Sequence, residues 1–173
     1  MSAQPQPVAR PVEKYLVRAE PDMLNLVYGL VMKNARDSTI PIETMSMAEF
    51  SQIYDHSLYY FWRDPNDVYV LVGLSQIDPQ ARQAEFGLIS LVRQQGHAIA
   101  AFFALTRFAF RSMGMRRLWC RVNSDNTPCL AAITKAGALT QEGTLRQARF
   151  KDGQFLDQYQ FSILASEVDK WGR

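Results

Sequence analysis

The sequence predicts an α+β (α/β/α-like) fold, with a mostly antiparallel sheet of roughly seven strands flanked by about four helices. Three observations carry this. Strand-like runs over 58–62, 68–74 and 83–92 follow one another across short polar turns, as in an antiparallel meander. Two apolar helical runs come later in the chain, each after a strand-like run and each closed by a glycine, Gly114 and Gly137. The chain then finishes on two long strand-like runs joined by Lys151-Asp152-Gly153, a good hairpin turn.

The elements follow in order. Residues 1–12 carry Pro5, Pro7 and Pro11 among small and polar residues and read as a flexible leader, leaving 13–173 as one domain. Residues 13–18 alternate around Tyr15 and Val17 as a first strand. Pro21 and Asp22 suit a helix start, and Leu24, Val27, Leu30 and Val31 share one helical face. Ser46 with Glu49 three residues on forms a capping-box pattern, opening a helix that turns Phe50, Ile53 and Tyr54 inward. The turns Arg63-Asp64-Pro65-Asn66-Asp67 and Asp78-Pro79-Gln80 separate the meander strands. A helix runs from about Gly96 to Met113, a strand covers 117–122, and the polar loop 123–128 leads into a helix through Lys135. The last two strands span 138–150 and 154–164.

Composition narrows the function. With 173 residues, 47% hydrophobic and 21% charged, the chain can bury a sizeable core. A net charge of +2 argues against a large nucleic-acid footprint. The longest apolar run, 98–110, is broken by Arg107 and falls short of the roughly 20 residues a membrane span needs. No secretory pattern opens the chain, and Cys120 and Cys129 lie in no metal-ligand spacing, so reduced thiols and a cytoplasmic location are expected. Strand edges at the C-terminal end leave room for a homodimer.

The most telling stretch is Leu91-Val92-Arg93-Gln94-Gln95-Gly96-His97-Ala98, between a strand and a helix. The first amides of a helix lack intrahelical partners, and the dipole adds positive character there, so such a corner suits phosphate. Gly96 and Ala98 keep it small. Neither a Gly-x-x-x-x-Gly-Lys-Ser/Thr loop nor a Gly-x-Gly-x-x-Gly fingerprint occurs, which disfavours a nucleotide-binding α/β protein.

Arg93-Gln94-Gln95-Gly96-His97-Ala98 fills every defined position of Arg/Gln-x-x-Gly-x-Gly/Ala, and the chain resembles the GCN5-related N-acetyltransferases (GNAT). From Glu85 onward it is similar to the branch containing ribosomal-protein alanine acetyltransferases, through Asn126-Thr127-Pro128-Cys129, Lys135-Ala136-Gly137, Glu142-Gly143-Thr144-Leu145-Arg146, and Asp152-Gly153 with Asp157. Cys129 stands where that branch has serine, and Ala138 where an aromatic residue often follows. The resemblance implies a splayed sheet and acetyl-CoA as cofactor. It places the pyrophosphate on backbone N–H groups from Gln94 through Ala98, with help from Arg93. It extends the pantetheine arm along Leu91 and Val92, with an oxyanion donor near Leu91, and sets Asn126 and Cys129 on the opposite side.

Direct transfer to an amine needs placement of both reactants, a base and an oxyanion donor. Alternation puts Glu85 on one strand face with Gln83, Gly87, Ile89 and Leu91, making it the first candidate base; pairing with Arg82 or another arginine is its structural alternative. Glu142 is the second candidate, on the resemblance, against an exposed turn acid. Cys129 is the candidate acid toward the leaving thiolate, although a helix start favours thiolate and makes it a poor proton source. His97 takes a free motif position, and its side chain is expected to face solvent. His56 lies near Tyr59, Tyr60 and Trp62, an acceptor pocket or simply core. Arg116 and Arg117 cap carbonyls or reach a phosphate. The expected acceptor is a small amine (amino sugar, nucleotide-linked sugar, polyamine or antibiotic) or a protein N-terminus. The alternative is a non-catalytic acyl-CoA-binding module.

Overall fold

The computed structural model describes residues 15–34, 44–92 and 96–171, so the expected leader over 1–12 lies outside the described residues. Seven strands form one sheet: β1 (Tyr15–Arg18), β2 (Leu58–Arg63), β3 (Val68–Asp78), β4 (Gln83–Ser90), β5 (Arg117–Asn123), β6 (Thr140–Lys151) and β7 (Gln154–Leu164). Their order is β1-β2-β3-β4-β5-β7-β6. Neighbours pair antiparallel except β4 and β5, which run parallel. Four helices flank the sheet: α1 (Leu24–Lys33), α2 (Met47–Asp55), α3 (His97–Arg111) and α4 (Thr127–Ala136). None is long and apolar enough to cross a membrane among the described residues.

Two apolar clusters hold the layers together. Val70, Val72 and Leu74 of β3 turn to one face with Phe86 and Leu118, where they meet Phe102 and Leu105 of α3. Leu71 of β3 and Phe61 of β2 turn to the other face, where α1 supplies Val27 and Val31 and α2 supplies Phe50 and Tyr54. Strand alternation makes one β3 segment serve both cores, which explains its almost unbroken apolar sequence. Phe50, Leu74 and Leu118 are fully buried, each contributing roughly 1.5–3 kcal/mol by leaving water. The α1/α2 cluster draws no buried residue from β5, β6 or β7 among the described residues.

Several boundaries differ from expectation, each for a local reason. β3 runs on to Asp78 because a bulge between Ser75 and Asp78 lets the ladder with β4 continue past the point where alternation fails; Gln76 there has φ 47. β4 stops at Ser90, before the turn into α3, not at Val92. β6 begins at Thr140 because Ala138 is taken into the core behind α4. The helix predicted from Pro21 opens with a 3-10 turn over Pro21–Met23 before α1 proper.

The capping box is formed in both directions. Glu49 N–H donates to Ser46 Oγ at 3.3 Å, and Ser46 N–H donates to Glu49 Oε2 at 2.7 Å. Ser46→Ala removes one half of it. The expected cost is about 1 kcal/mol, read as a fall in Tm of about 2–4 °C.

Candidate active site

β4 and β5 pair only over Gln83↔Arg117, Ala84↔Leu118 and Glu85↔Trp119, and then part. A cleft of about 550 Å³ opens beyond the last pair. Its walls bring together Glu85 of β4, Cys120 and Arg121 of β5, Ala98 of α3, and Asn126 and Cys129 at the start of α4. On the other side of β4 it continues over Gly87 and Ile89 to Leu71, Gly73, Tyr59 and Val31.

The splay leaves β4 with backbone groups outside any ladder. Leu91 N–H donates to Tyr69 O at 2.9 Å, extending the β3–β4 ladder. Amides alternate sides along a strand, so those of Ile89 and Gly87 also face β3, while those of Leu88 and Ser90 face β5. β5 has already turned away there, and the backbone at Leu88 and Ser90 has no ladder partner. The Leu91 amide itself is engaged, and the open donors near it are its even-numbered neighbours Leu88 and Ser90.

α3 begins at Gly96, whose φ of 99 and ψ of −25 lie in the left-handed region. No side chain caps this helix end, in contrast to α2 and α4. The corner therefore has the geometry that suits an anion: a left-handed glycine followed by first-turn amides, including those of Ala98 and Ile99, that have no acceptor within the helix. Adding a Cβ at Gly96 would meet nothing within 4 Å, so glycine is required here by backbone conformation rather than space. Arg93, Gln94 and Gln95 lie outside the described residues, and Leu91 and Val92 form the half-buried bend that leads to them.

His97 does not face solvent. It is buried, with its ring stacked on Tyr69 at 4.0 Å between centroids and 4° between planes. Tyr69 is fixed in turn by Asp64, whose Oδ2 accepts from the tyrosine hydroxyl at 2.5 Å. That hydrogen bond holds the hydroxyl protonated, pushed up to about 12. Asp64 Oδ1 accepts from the amides of Asn66 and Asp67, so the β2–β3 turn buttresses the first residue of α3. Sequence inspection recognises that turn only as a turn. The isolated Tyr69 gives no signal of its tie to His97.

Glu85 sits half-buried in the cleft. Gln76 Nε2 donates to its Oε2 at 2.8 Å, and Ser75 Oγ approaches the same oxygen at 3.4 Å. The β3 bulge is what presents Gln76, another contribution invisible to pattern reading. Burial pushes the Glu85 carboxyl above its ordinary value of 4.5, and the charge of Arg121 with the Ser75 and Gln76 bonds does not cancel that rise. Arg82 is not its partner. That side chain turns away and donates to Gly114 O at 2.8 Å.

Glu142 lies elsewhere, exposed on edge strand β6 and absent from the cleft lining. Ser162 Oγ donates to its Oε1 at 2.7 Å, Gln160 Nε2 to its Oε2 at 3.2 Å, and Arg117 forms an ion pair with it. Burial acts to raise this carboxyl, but these donors outweigh it and hold it below the ordinary glutamate value. Arg117 also donates to Gln83 Oε1, so it neither caps a carbonyl nor awaits a phosphate.

Asn126 is the N-cap of α4, with Oδ1 accepting from Cys129 N–H at 3.2 Å. This leaves its amide group at the cleft wall and sets Cys129, half-buried, one turn into the helix. Behind them the fully buried Asn123 accepts from Gln158 Nε2 at 3.0 Å, tying β5 to β7 where the cleft ends. Of the aromatic group considered for the acceptor, Tyr59 lines the cleft and Tyr60 fills the core, while His56 is an exposed residue ending α2.

Comparison with known proteins agrees with this geometry. A sequence model described as the acetyltransferase (GNAT) domain matches residues 17–139. An uncharacterized N-acetyltransferase p20 from Bacillus licheniformis is 29% identical over 108 residues, covering 61% of this chain. The chain spans 60% of the length of that relative. Among solved structures, a spermidine N-acetyltransferase from Vibrio cholerae in complex with CoA and spermine superposes with a TM-score of 0.77 at 20% identity, over 90% of this chain and 97% of its own. A spermidine/spermine N-acetyltransferase from Vibrio cholerae in complex with manganese ions gives a TM-score of 0.74 at 19% identity, over 92% of this chain and 97% of that one. With a family match over more than half its length, the chain belongs to the GNAT acetyltransferases.

Proposed function

We propose that this protein transfers an acetyl group directly from acetyl-CoA to a primary amine, with Glu85 as the general base. The observation that carries the reading is the placement of Glu85 in the cleft where β4 and β5 part, beside a strand whose backbone groups at Leu88 and Ser90 have no ladder partner. The uncapped start of α3 would hold the diphosphate through the amides of Gly96, His97 and Ala98, with Arg93, Gln94 and Gln95 completing that corner. The open edge of β4 would align the pantetheine arm, with the Asn126 amide on the facing wall.

Acetyl-CoA supplies an acyl carbon whose bond to sulfur breaks, with sulfur leaving as thiolate, as the new bond to nitrogen forms. The amine nitrogen must shed a proton, and Glu85 is the carboxylate in the cleft able to receive it. Its raised pKa makes it a stronger base than an ordinary glutamate. The Leu88 and Ser90 amides point toward the space where negative charge would grow on the carbonyl oxygen. Glu142 is fully engaged within the β5–β7–β6 surface and is assigned a structural role. Cys129 is assigned to packing along the cleft wall, since coenzyme A thiolate leaves without needing an acid. The apolar lining at Val31, Tyr59 and Leu71 favours a small acceptor over a protein N-terminus.

Four measurements test this. Glu85→Gln should lower kcat/KM for the acceptor about a hundred- to ten-thousandfold. In the wild type the rate should fall as pH drops through the raised Glu85 pKa, giving an acidic limb above 4.5 that the variant lacks. Unchanged turnover in Glu85→Gln would remove the base assignment, whereas tight acetyl-CoA binding with no amine acetylated would favour a non-catalytic acyl-CoA-binding module. Cys129→Ala should leave kcat at saturating acetyl-CoA within about twofold, whereas an acid role requires a loss on the order of a hundredfold. Gly96→Ala forces a side chain into the left-handed region at a cost of roughly 1 kcal/mol, so KM for acetyl-CoA should rise about fivefold while kcat holds.

A further inference from the structure

Arg121 is the charged group in the cleft that the reaction above does not use. It shares a face of β5 with Arg117 and Trp119, and that face carries no helical layer from α1 or α2. Its guanidinium carbon lies over the Trp119 ring, 5.1 Å from the centroid. Arg117, further back along the same strand, is fully engaged by Gln83 and Glu142. Arg121 has no such partners. Its Nε is buried without a hydrogen bond, and no carboxylate among the described residues forms an ion pair with it. Yet it lines the same cleft as Glu85. A half-buried guanidinium left without an acceptor is costly unless something arrives to meet it.

We propose that Arg121 determines acceptor specificity by receiving an anionic group, a carboxylate or a phosphate ester, that the acceptor carries close to its amine. This rests on the acetyltransferase reading above. Glu85 and Arg121 then form a complementary pair in one cleft, with the carboxylate for the ammonium and the guanidinium for the anion. A carboxylate or phosphate presents two oxygens to the planar fork, which a neutral or cationic group cannot do. A polyamine offers no anion and would bring additional positive charge toward Arg121. The apolar surface of Tyr59, Leu71 and Val31 accommodates the rest of such a molecule.

The test uses the full-length protein saturated with coenzyme A and calorimetric titration with matched amines. L-Phenylalanine is compared with L-phenylalaninamide, O-phosphoethanolamine with ethanolamine, and spermidine is titrated alongside. The anionic member of at least one pair should bind about ten- to a hundredfold more tightly than its neutral counterpart and than spermidine, and the pair that shows it identifies carboxylate or phosphate. Arg121→Gln should abolish that preference while coenzyme A affinity is kept. Arg121→Lys, which retains charge without the fork, should keep only part of it and serves where the glutamine variant does not fold. Equal binding within both pairs, no binding by either anionic amine, tighter binding of spermidine, or a preference that survives Arg121→Gln would each overturn the assignment while leaving the transferase reading intact. Loss of coenzyme A affinity in the wild type would instead remove that reading, and this one with it.

Discussion

Strand β4 pairs antiparallel with β3 and parallel with β5, and the site depends on that mixed pairing. A parallel neighbour cannot be reached by a hairpin, so the chain must leave the end of β4, cross a face of the sheet and return. The crossover is α3, and it has to start where β4 ends. One connection therefore produces two features at once: a helix N-terminus at the mouth of the cleft, and a strand pair short enough to open. Three residue pairs join β4 to β5, against seven between β5 and β7. Had the parallel ladder continued, the amides of Leu88 and Ser90 would be taken up by the sheet and Glu85 would look onto a closed surface.

Electrostatics then separates residues that look alike in one dimension. Glu85 and Glu142 both sit in strands beside small residues, but one enters a cleft and the other an exposed edge. Burial dominates at Glu85, so its proton is held more tightly. At Glu142 three donors from neighbouring strands win over burial, so its charge is kept and ties β5, β7 and β6 together. The arginines show the mirror image, with Arg117 satisfied by the sheet and Arg121 presented to the cleft. Local sequence says little about these fates, because the partners come from other strands.

Much of the architecture was legible because local chemistry and global packing agree. Gly114 and Gly137 take the left-handed conformation expected after a helix, the Ser46–Glu49 box closes, and the β6–β7 turn places Asp152 and Gly153 at positive φ. In the candidate site, the placement of Glu85 in the cleft was legible through strand alternation, and the glycine opening α3 through the strand-to-helix change. It was less legible wherever function rests on irregular backbone or on contacts between distant segments. The bulge at Gln76 breaks the alternation on which a strand reading relies. Which amide near Leu91 is open could not be read, because the Leu91 ladder bond to Tyr69 cannot be seen without register. His97 fell in a variable position of the motif, and nothing local announces that the ring of Tyr69, from the far side of β4, will cover it.

Tyr69 holds the β4–α3 corner on both flanks, through its carbonyl at Leu91 and its ring at His97. Asp64 locks that tyrosine from the adjoining turn. The flanks of the loop are thereby ordered before any ligand arrives. Fixing the backbone of a residue costs roughly 1–2 kcal/mol, and here folding has already met that cost at both ends. A group received at that corner would therefore meet flanks that are already fixed, and less of its contact energy would go to ordering them.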